Sequence, residues 1–224
     1  MKINLVPFGV SLSLSILTTL ILLVVIFPLA LFLGFTKSKL KPIFESIFTL
    51  PLVLPPTVLG FYILLMLSPR NAFGVFLEKY FDVRLAFNFS GILIASCIYS
   101  LPFMLQPLKN GIESVNRSLL EVSYTLGKSN LETFFRIILP NIKPFIFTGV
   151  VMTFAHTMGE FGVVLMVGGN IPNKTKVASI YIFENVEILN YGEAHIYSMI
   201  LIAMSFIILI AVNLTNLNMK RNII

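Results

Sequence analysis

Apolar residues occur along this chain in long stretches that contain few or no charges. A helix needs about 20 apolar residues to cross a bilayer. Five stretches approach or exceed that length, at 11–35, 46–68, 91–108, 145–168 and 195–218. The pattern predicts an all-α polytopic membrane protein with about five transmembrane helices, organised as a single domain over 1–224.

The composition supports a membrane protein. Of the 224 residues, 57% are hydrophobic and only 12% are charged, whereas soluble domains contain about 25% charged residues. The formal net charge of +6 is confined mainly to the segments between the apolar stretches, so nucleic acid is not predicted as a partner. The first stretch is longer than the apolar core of a signal peptide, and we expect it to remain as a span.

The basic residues indicate the orientation in the membrane, because cytoplasmic loops are enriched in Lys and Arg. They form two sets on alternating sides of the predicted spans. The loops at 36–45 and about 109–143 and the C-terminus hold the larger set, which places them in the cytoplasm and the N-terminus outside. The larger set has ten members and the smaller has six: Lys37, Lys39, Lys41, Lys109, Arg117, Lys128, Arg136, Lys143, Lys220 and Arg221, against Lys2, Arg70, Lys79, Arg84, Lys174 and Lys176.

The longest polar loop, about 109–143, carries two helix-start signals. Ser118 and Ser129 each stand three residues before a glutamate, as in the S-x-x-E capping box. Gly127 lies between them and can adopt the left-handed conformation that ends a helix. We therefore expect one short helix over about 119–127 and a second from about 130 toward Pro140. Such a structured loop favours a partner-binding role, the alternative being simple connecting helices.

The turn of this loop superficially resembles a nucleotide-binding motif. Gly127-Lys128-Ser129 could end a P-loop, but Val122 occupies the position of the required first glycine. Without that glycine the backbone cannot form the phosphate cradle, so nucleotide binding by this chain is not predicted.

Prolines interrupt the second apolar stretch. Pro51, Pro55 and Pro56 remove three backbone donors within eleven residues that end at Gly60. Irregular backbone at membrane depth is tolerated where protein or a water-filled cavity satisfies it. We expect Pro55, Pro56 and Gly60 to line or bend a translocation pathway, the alternative being a kink that serves packing alone.

One acidic residue lies well inside an apolar stretch. Glu160 is flanked by Gly159 and Gly162 in the fourth stretch, and intramembrane carboxylates are usually functional. We expect Glu160 to make a structural or gating hydrogen bond, with ordinary packing as the alternative. His156 in the same stretch is expected to pack rather than to bind a metal, because no cluster of potential ligands accompanies it.

The long loop resembles the EAA loop of ABC importer permeases. The resemblance rests on Glu121-Val-Ser-Tyr-Thr-Leu-Gly127, nine further residues, and then Ile137-Ile-Leu-Pro140. It implies that the loop is a coupling helix docked on a cytoplasmic ATPase, with this contact formed by Glu121, Gly127, Lys128, Ser129, Leu139 and Pro140. It also implies that ATP and Mg bind to the partner ATPase, and that this chain itself has no catalytic residues, cofactor or metal.

Further segments resemble the molybdate permeases within that family. They are Leu50–Pro56, Gly159–Gly162 and the segment Gly169–Lys176. The resemblance implies import of an oxyanion, with molybdate first and tungstate or sulfate as alternatives. It further implies a homodimer of permeases, two cytoplasmic ATPase subunits and a periplasmic or extracellular binding protein, in the bacterial cytoplasmic (inner) membrane.

Two functions of other classes remain open from the residues alone. A polytopic membrane enzyme would need several polar groups converging within the spans, whereas Glu160 is the only acid there. A non-catalytic scaffold would use the structured loop merely to assemble other proteins.

Overall fold

The computed structural model describes residues 4–221, and all regular structure in that range is helical. Four long helices are α1, α5, α8 and α11. Shorter helices α2, α3, α4, α6, α7, α9 and α10 connect or flank them. The bounds are α1 Val6–Phe35, α2 Lys41–Thr49, α3 Pro56–Leu67, α4 Ala72–Phe81, α5 Phe89–Glu113, α6 Arg117–Thr125, α7 Asn130–Thr133, α8 Leu139–Met158, α9 Gly162–Gly168, α10 Ala178–Glu187 and α11 Tyr191–Arg221, with a 3₁₀ turn at Leu50–Leu52 and a π-helical turn at Phe134–Ile138.

The helices confirm the predicted fold class. Within the described residues, four helical stretches are long and apolar enough to cross a membrane. A fifth span results if the pair Lys41–Leu52 and Pro56–Leu67, which is bent by 103°, is counted as one. The termini used to predict orientation lie partly outside the described residues, since 1–3 and 222–224 are not described.

The predicted fourth span, 145–168, is not one continuous helix. A continuous helical stretch runs over Asn130–Met158, and the backbone then leaves the helix before α9. The break is stabilised by hydrogen bonds: the Glu160 N–H donates to the Thr157 carbonyl at 3.2 Å, and the Glu160 carbonyl accepts from Ser179 Oγ at 2.6 Å. Because α10 supplies this second contact, the local sequence does not reveal the break.

The predicted stop of the second loop helix near Pro140 is also wrong. Pro140 lies in the first turn of α8, directly after the π-helical turn. In that turn the Leu139 N–H donates to the Phe134 carbonyl, five residues back. The wider turn changes the hydrogen-bond register ahead of a residue that has no N–H to donate, so the helix continues through the proline.

The core of the bundle lies where α5 packs between α1 and α8. Two buried apolar clusters fill it, one around Ile92 and Val163 and the other around Leu105 and Ile142. Two buried hydroxyls on α1 donate hydrogen bonds within the helix: Ser15 Oγ to the Ser11 carbonyl at 2.8 Å and Thr19 Oγ1 to the Ser15 carbonyl at 2.7 Å. This packing fixes α8 against the bundle and thereby positions both the 114–138 segment and the 159–161 break.

Candidate functional site

The segment 116–135, called the knob below, projects between α5 and α8. Its first helix starts at Arg117, and the N-cap is Asn116 rather than the predicted Ser118. The Asn116 side-chain oxygen accepts from the Ser118 N–H at 3.0 Å and from Ser118 Oγ at 2.8 Å. Asparagine is at least as good a cap as serine. Because Asn116 precedes Ser118, the helix begins closer to the N-terminus than predicted. Glu121 is therefore a mid-helix, exposed residue and not a capping partner.

The knob turns at Gly127, as the sequence predicts. Gly127 has a φ of +74°, in the left-handed region that glycine adopts without strain. Its N–H donates to the Tyr124 carbonyl at 3.0 Å, and the Lys128 N–H donates to the Ser123 carbonyl at 3.1 Å. This pair of bonds is a Schellman motif, which satisfies the last carbonyls of α6.

The second knob helix starts with the predicted cap. Ser129 Oγ accepts from the Glu132 N–H at 3.2 Å, which confirms this capping box. The Lys128 ammonium lies 3.2 Å from the Glu132 carboxylate. The hydrogen bond from Lys128, with further help from the Ser129 N–H and Arg136, holds the pKa of Glu132 below its ordinary value. The pairing therefore persists above the ordinary glutamate pKa and is lost as the pH falls through the lowered one.

A buried hydrogen bond holds the two knob helices together. Ser123 on α6 is 4% exposed and Thr133 on α7 is 1% exposed. Their hydroxyl oxygens lie 2.8 Å apart. Each residue is small enough for the helices to approach and polar enough to crosslink them, so the knob is a rigid unit rather than a flexible loop.

The outer surface of the knob is apolar. Leu126 and Leu131, on either side of the turn, are each 71% exposed. A contiguous group of exposed apolar side chains on a soluble segment marks an interaction surface. The predicted coupling residues Gly127, Lys128 and Ser129 lie in the same turn, whereas Leu139 and Pro140 lie at the start of α8. The exposed large apolar residues of the knob are Leu119, Val122, Tyr124, Leu126, Leu131 and Phe135.

The prolines of the second span break it as predicted. Pro51 lies in the 3₁₀ turn, Pro55 caps α3 with extended backbone (ψ 136°), and Pro56 begins that helix. The chain turns by 103° across this break. Val53 at its centre is 81% exposed, so the break presents side chains to the outside of the single chain.

The structure brings three of the predicted pathway residues into one contact between α3 and α9. A Cβ added at Gly60 would stand 2.8 Å from Met166 Cβ, and one added at Gly162 would stand 2.8 Å from Pro56 Cβ. These distances are shorter than real Cβ contacts allow. Gly60, Gly162 and Pro56 thus form a close helix contact of the kind that small residues permit in membranes.

Glu160 points to the other side of the break, into the bundle. It is 4% exposed, and neither of its carboxylate oxygens has a hydrogen-bond partner among the described residues. The predicted side-chain hydrogen bond is therefore not formed. Ser96 on α5, whose hydroxyl is also buried and unpartnered, lies close enough to interact with the carboxyl group. Gly159, by contrast, is exposed.

His156 packs against α5. Its Nδ1 lies 2.9 Å from Ser100 Oγ, and its ring stacks on Phe103 at a centroid distance of 3.9 Å. These contacts agree with the predicted packing role. Ser96, Ser100 and Ser179 were not identified from the sequence as neighbours of this region. Ser96 and Ser100 stand four residues apart on α5, and this spacing was the signal that could have identified that pair.

Comparisons with known proteins agree with this geometry. A family model described as binding-protein-dependent transport system inner membrane component matches residues 26–222. The molybdenum transport system permease protein ModB of Azotobacter vinelandii is 43% identical over 208 residues, which are 93% of this chain and 92% of that protein. The sulfate transport system permease protein CysT of Salmonella typhimurium is 28% identical over 184 residues, which are 82% of this chain and 66% of that protein. A crystal structure of a bacterial alginate ABC transporter, in complex with its alginate pentasaccharide-bound periplasmic protein, contains a chain of the same fold, with a TM-score of 0.77 at 21% identity over 98% of this chain and 78% of that one.

Proposed function

Because this chain belongs to the family of binding-protein-dependent transport system inner membrane components, we propose that it is the permease subunit of an ATP-driven molybdate importer. The knob carries this proposal. A rigid, doubly capped helix–turn–helix with an exposed apolar face fits a groove on another protein and has no use in a simple loop.

The knob is built to transmit force. Its second helix is continuous with α8 through the π-helical turn, forming one stretch of 29 residues over Asn130–Met158. At 1.5 Å per residue this rod is about 44 Å long. Movement of the knob is carried along the rod to the 159–161 break, next to the α3–α9 contact. ATP-driven closure of a partner would in this way reach a gate at membrane depth.

The partners follow from this mechanism. Two copies of this chain form the pathway, and each knob docks on one of two cytoplasmic ATPase subunits. ATP and Mg bind to those subunits, so hydrolysis takes place there and not in this chain. A periplasmic or extracellular binding protein delivers the cargo from the outside. The family description supports a bacterial cytoplasmic (inner) membrane location. The Lys/Arg bias supports an orientation with the knob and the C-terminus inside and the N-terminus outside.

Molybdate is proposed as cargo because the relative named for molybdenum transport is 43% identical, whereas the sulfate relative is 28% identical. Tungstate and sulfate are the alternatives. The proposed pathway residues Pro55, Pro56 and Gly60 supply no positive charge for tight oxyanion capture. Selection among these anions is therefore assigned mainly to the binding protein.

Uptake measurements test the function and the cargo. Proteoliposomes holding this chain, its cognate ATPase and its binding protein should accumulate labelled molybdate only when ATP is supplied. Excess tungstate should compete and sulfate should not. Competition by sulfate would reassign the cargo to sulfate or to a broad range of oxyanions. Absence of uptake with an active ATPase would contradict the oxyanion assignment while leaving the importer architecture intact.

Glu160 is proposed to steady the break between α8 and α9 through Ser96. The variant Glu160→Gln keeps the side-chain shape and a hydrogen-bonding oxygen, so uptake should stay within about twofold of the parent. Glu160→Ala removes the buried carboxyl group and leaves a cavity at the break, at a cost of about 2–5 kcal/mol, and uptake should fall about tenfold or more. Uptake near the parent value in both variants would contradict this role; an equal loss in both would instead indicate that the charge itself is needed.

A further inference from the structure

A groove of about 420 Å³ runs along the surface between α5 and α8. Leu52 of the 3₁₀ turn and Met152 of α8 form its rim and are 52% and 44% exposed. Small-molecule sites fall within about 300–1,000 Å³, so this volume can admit a small hydrated ion. The groove extends from the break in the second span toward the end of α5 that carries Lys109 and Glu113.

Two amide side chains line this groove. Gln106 and Asn110 stand four residues apart on α5 and so share one face of the helix. Within the described chain, neither side chain has a hydrogen-bond partner. Thr148, across the groove on α8, donates to the Pro144 carbonyl at 2.9 Å and keeps its lone pairs free.

Free amides do not suit contact with lipid. Burying an amide in hydrocarbon without a partner costs several kcal/mol. Gln106 lies one helical turn, about 6 Å, deeper than Asn110, so a single position at the lipid headgroups cannot serve both. Water, together with a solute that accepts hydrogen bonds, would supply the partners that the two amides on this face of α5 need.

The groove carries no charged side chain among its lining residues. The charges nearby on α5 are paired elsewhere: Lys109 contacts Glu45 at 3.0 Å, and Glu113 contacts Lys41 at 2.6 Å. Uncharged N–H donors can replace part of an anion's hydration shell without holding it tightly. Weak binding of that kind is what a conducting path requires, because a bound ion must also leave.

We propose that this groove is the cytoplasmic half of the translocation path, and that the Gln106 and Asn110 amides donate hydrogen bonds to the tetrahedral oxyanion as it leaves the gate. The inference rests on the proposed function and names residues for its exit step. A second copy of the chain closes the open side of the groove. The break at Leu52 then forms the end of the path within the membrane, where the α3–α9 contact controls entry of the oxyanion.

Cysteine reporters test whether the groove contains water. Gln106→Cys and Asn110→Cys would be made in the assembled complex on a Cys97→Ala background and exposed, from the cytoplasmic side, to a negatively charged, membrane-impermeant thiosulfonate. Both should react, and modification should block uptake. Val24→Cys is the control, because Val24 on α1 is 73% exposed and surrounded by apolar residues; it should stay unmodified.

Isosteric charge substitution tests the anion contact. Asn110→Asp retains size but repels an anion, so molybdate uptake should fall about tenfold or more. Asn110→Leu, which only removes donors, should reduce uptake less. Thermal unfolding of the detergent-purified variants verifies that each one folds.

The outcomes separate the two proposals. A parent complex that imports no oxyanion overturns the proposed function and with it the solute named here. A parent that transports, with unreactive cysteines at both positions and a fully active Asn110→Asp variant, overturns this inference alone. In that case lipid or the second copy of the chain fills the groove.

Discussion

Replacing Leu126 and Leu131 by glutamate should release the ATPase subunit and abolish uptake while the membrane bundle stays folded. Both side chains are 71% exposed at the knob turn, so neither substitution disturbs the core. In a docked complex they would be the central apolar anchors, and each charge would have to be buried in the interface. Truncating an anchor of this kind costs about 2 kcal/mol or more, roughly a thirtyfold loss in affinity for each residue.

Co-purification of the ATPase with tagged permease measures this effect directly. Ile188→Glu is the matched control, because Ile188 is 67% exposed and is assigned to the opposite side of the membrane. It should leave ATPase co-purification unchanged. Full retention of the ATPase by the Leu126→Glu/Leu131→Glu double variant would refute the knob as the docking element.

Enlarging the glycines of the α3–α9 contact should have the second large effect. In Gly60→Val, the new Cβ would meet Met166 Cβ at 2.8 Å and Val163 Cα at 3.2 Å. Backbone cannot move aside as a flexible side chain can, so the helices must separate. Overpacking of this kind costs about 1–3 kcal/mol, and uptake should be lost through a displaced gate. Gly162→Val, opposite Pro56, should behave in the same way.

Gly159→Ala provides the internal control for that prediction. Gly159 lies in the same predicted site, but the nearest atoms to its added Cβ are 3.9 and 4.0 Å away, and its φ is −94°. Uptake and thermal stability should remain near the parent values. If Gly159→Ala and Gly60→Val lowered uptake equally, the close contact would not be the reason for glycine at these positions.

Local signals were sufficient for part of the knob. Gly127 and Ser129 act where the sequence places them, because a left-handed turn and a helix cap depend on neighbours within a few residues. The cap predicted at Ser118 is wrong for the same local reason: Asn116, two residues earlier, is also a good capping residue and caps the helix instead. The helix end predicted near Pro140 is wrong because a single π-helical turn accommodates the proline. No composition rule predicts that turn.

The candidate gate was only partly accessible from sequence. Proline in a helix interior kinks or breaks the helix, so Pro51, Pro55 and Pro56 predict a break from the sequence alone. Which glycines are needed for packing is different, because Gly60 and Gly159 look alike in the sequence and differ only in what lies across from them. Their roles follow from the position of α9, whose residues in this contact lie about a hundred residues further along the chain than those of α3.

By itself, the sequence determined that this protein is a helical membrane protein with about five spans, a long loop with helix caps and a broken second span. These features follow from hydropathy and short-range backbone chemistry, which act over one helix or one turn. Tertiary structure alone decided that α8 extends into the knob as one rod, that Glu160 is buried without a hydrogen-bond partner among the described residues, and that Gln106 and Asn110 line an open groove. Those facts depend on which helices pack together, and helix packing is set by shape complementarity between segments distant in the chain.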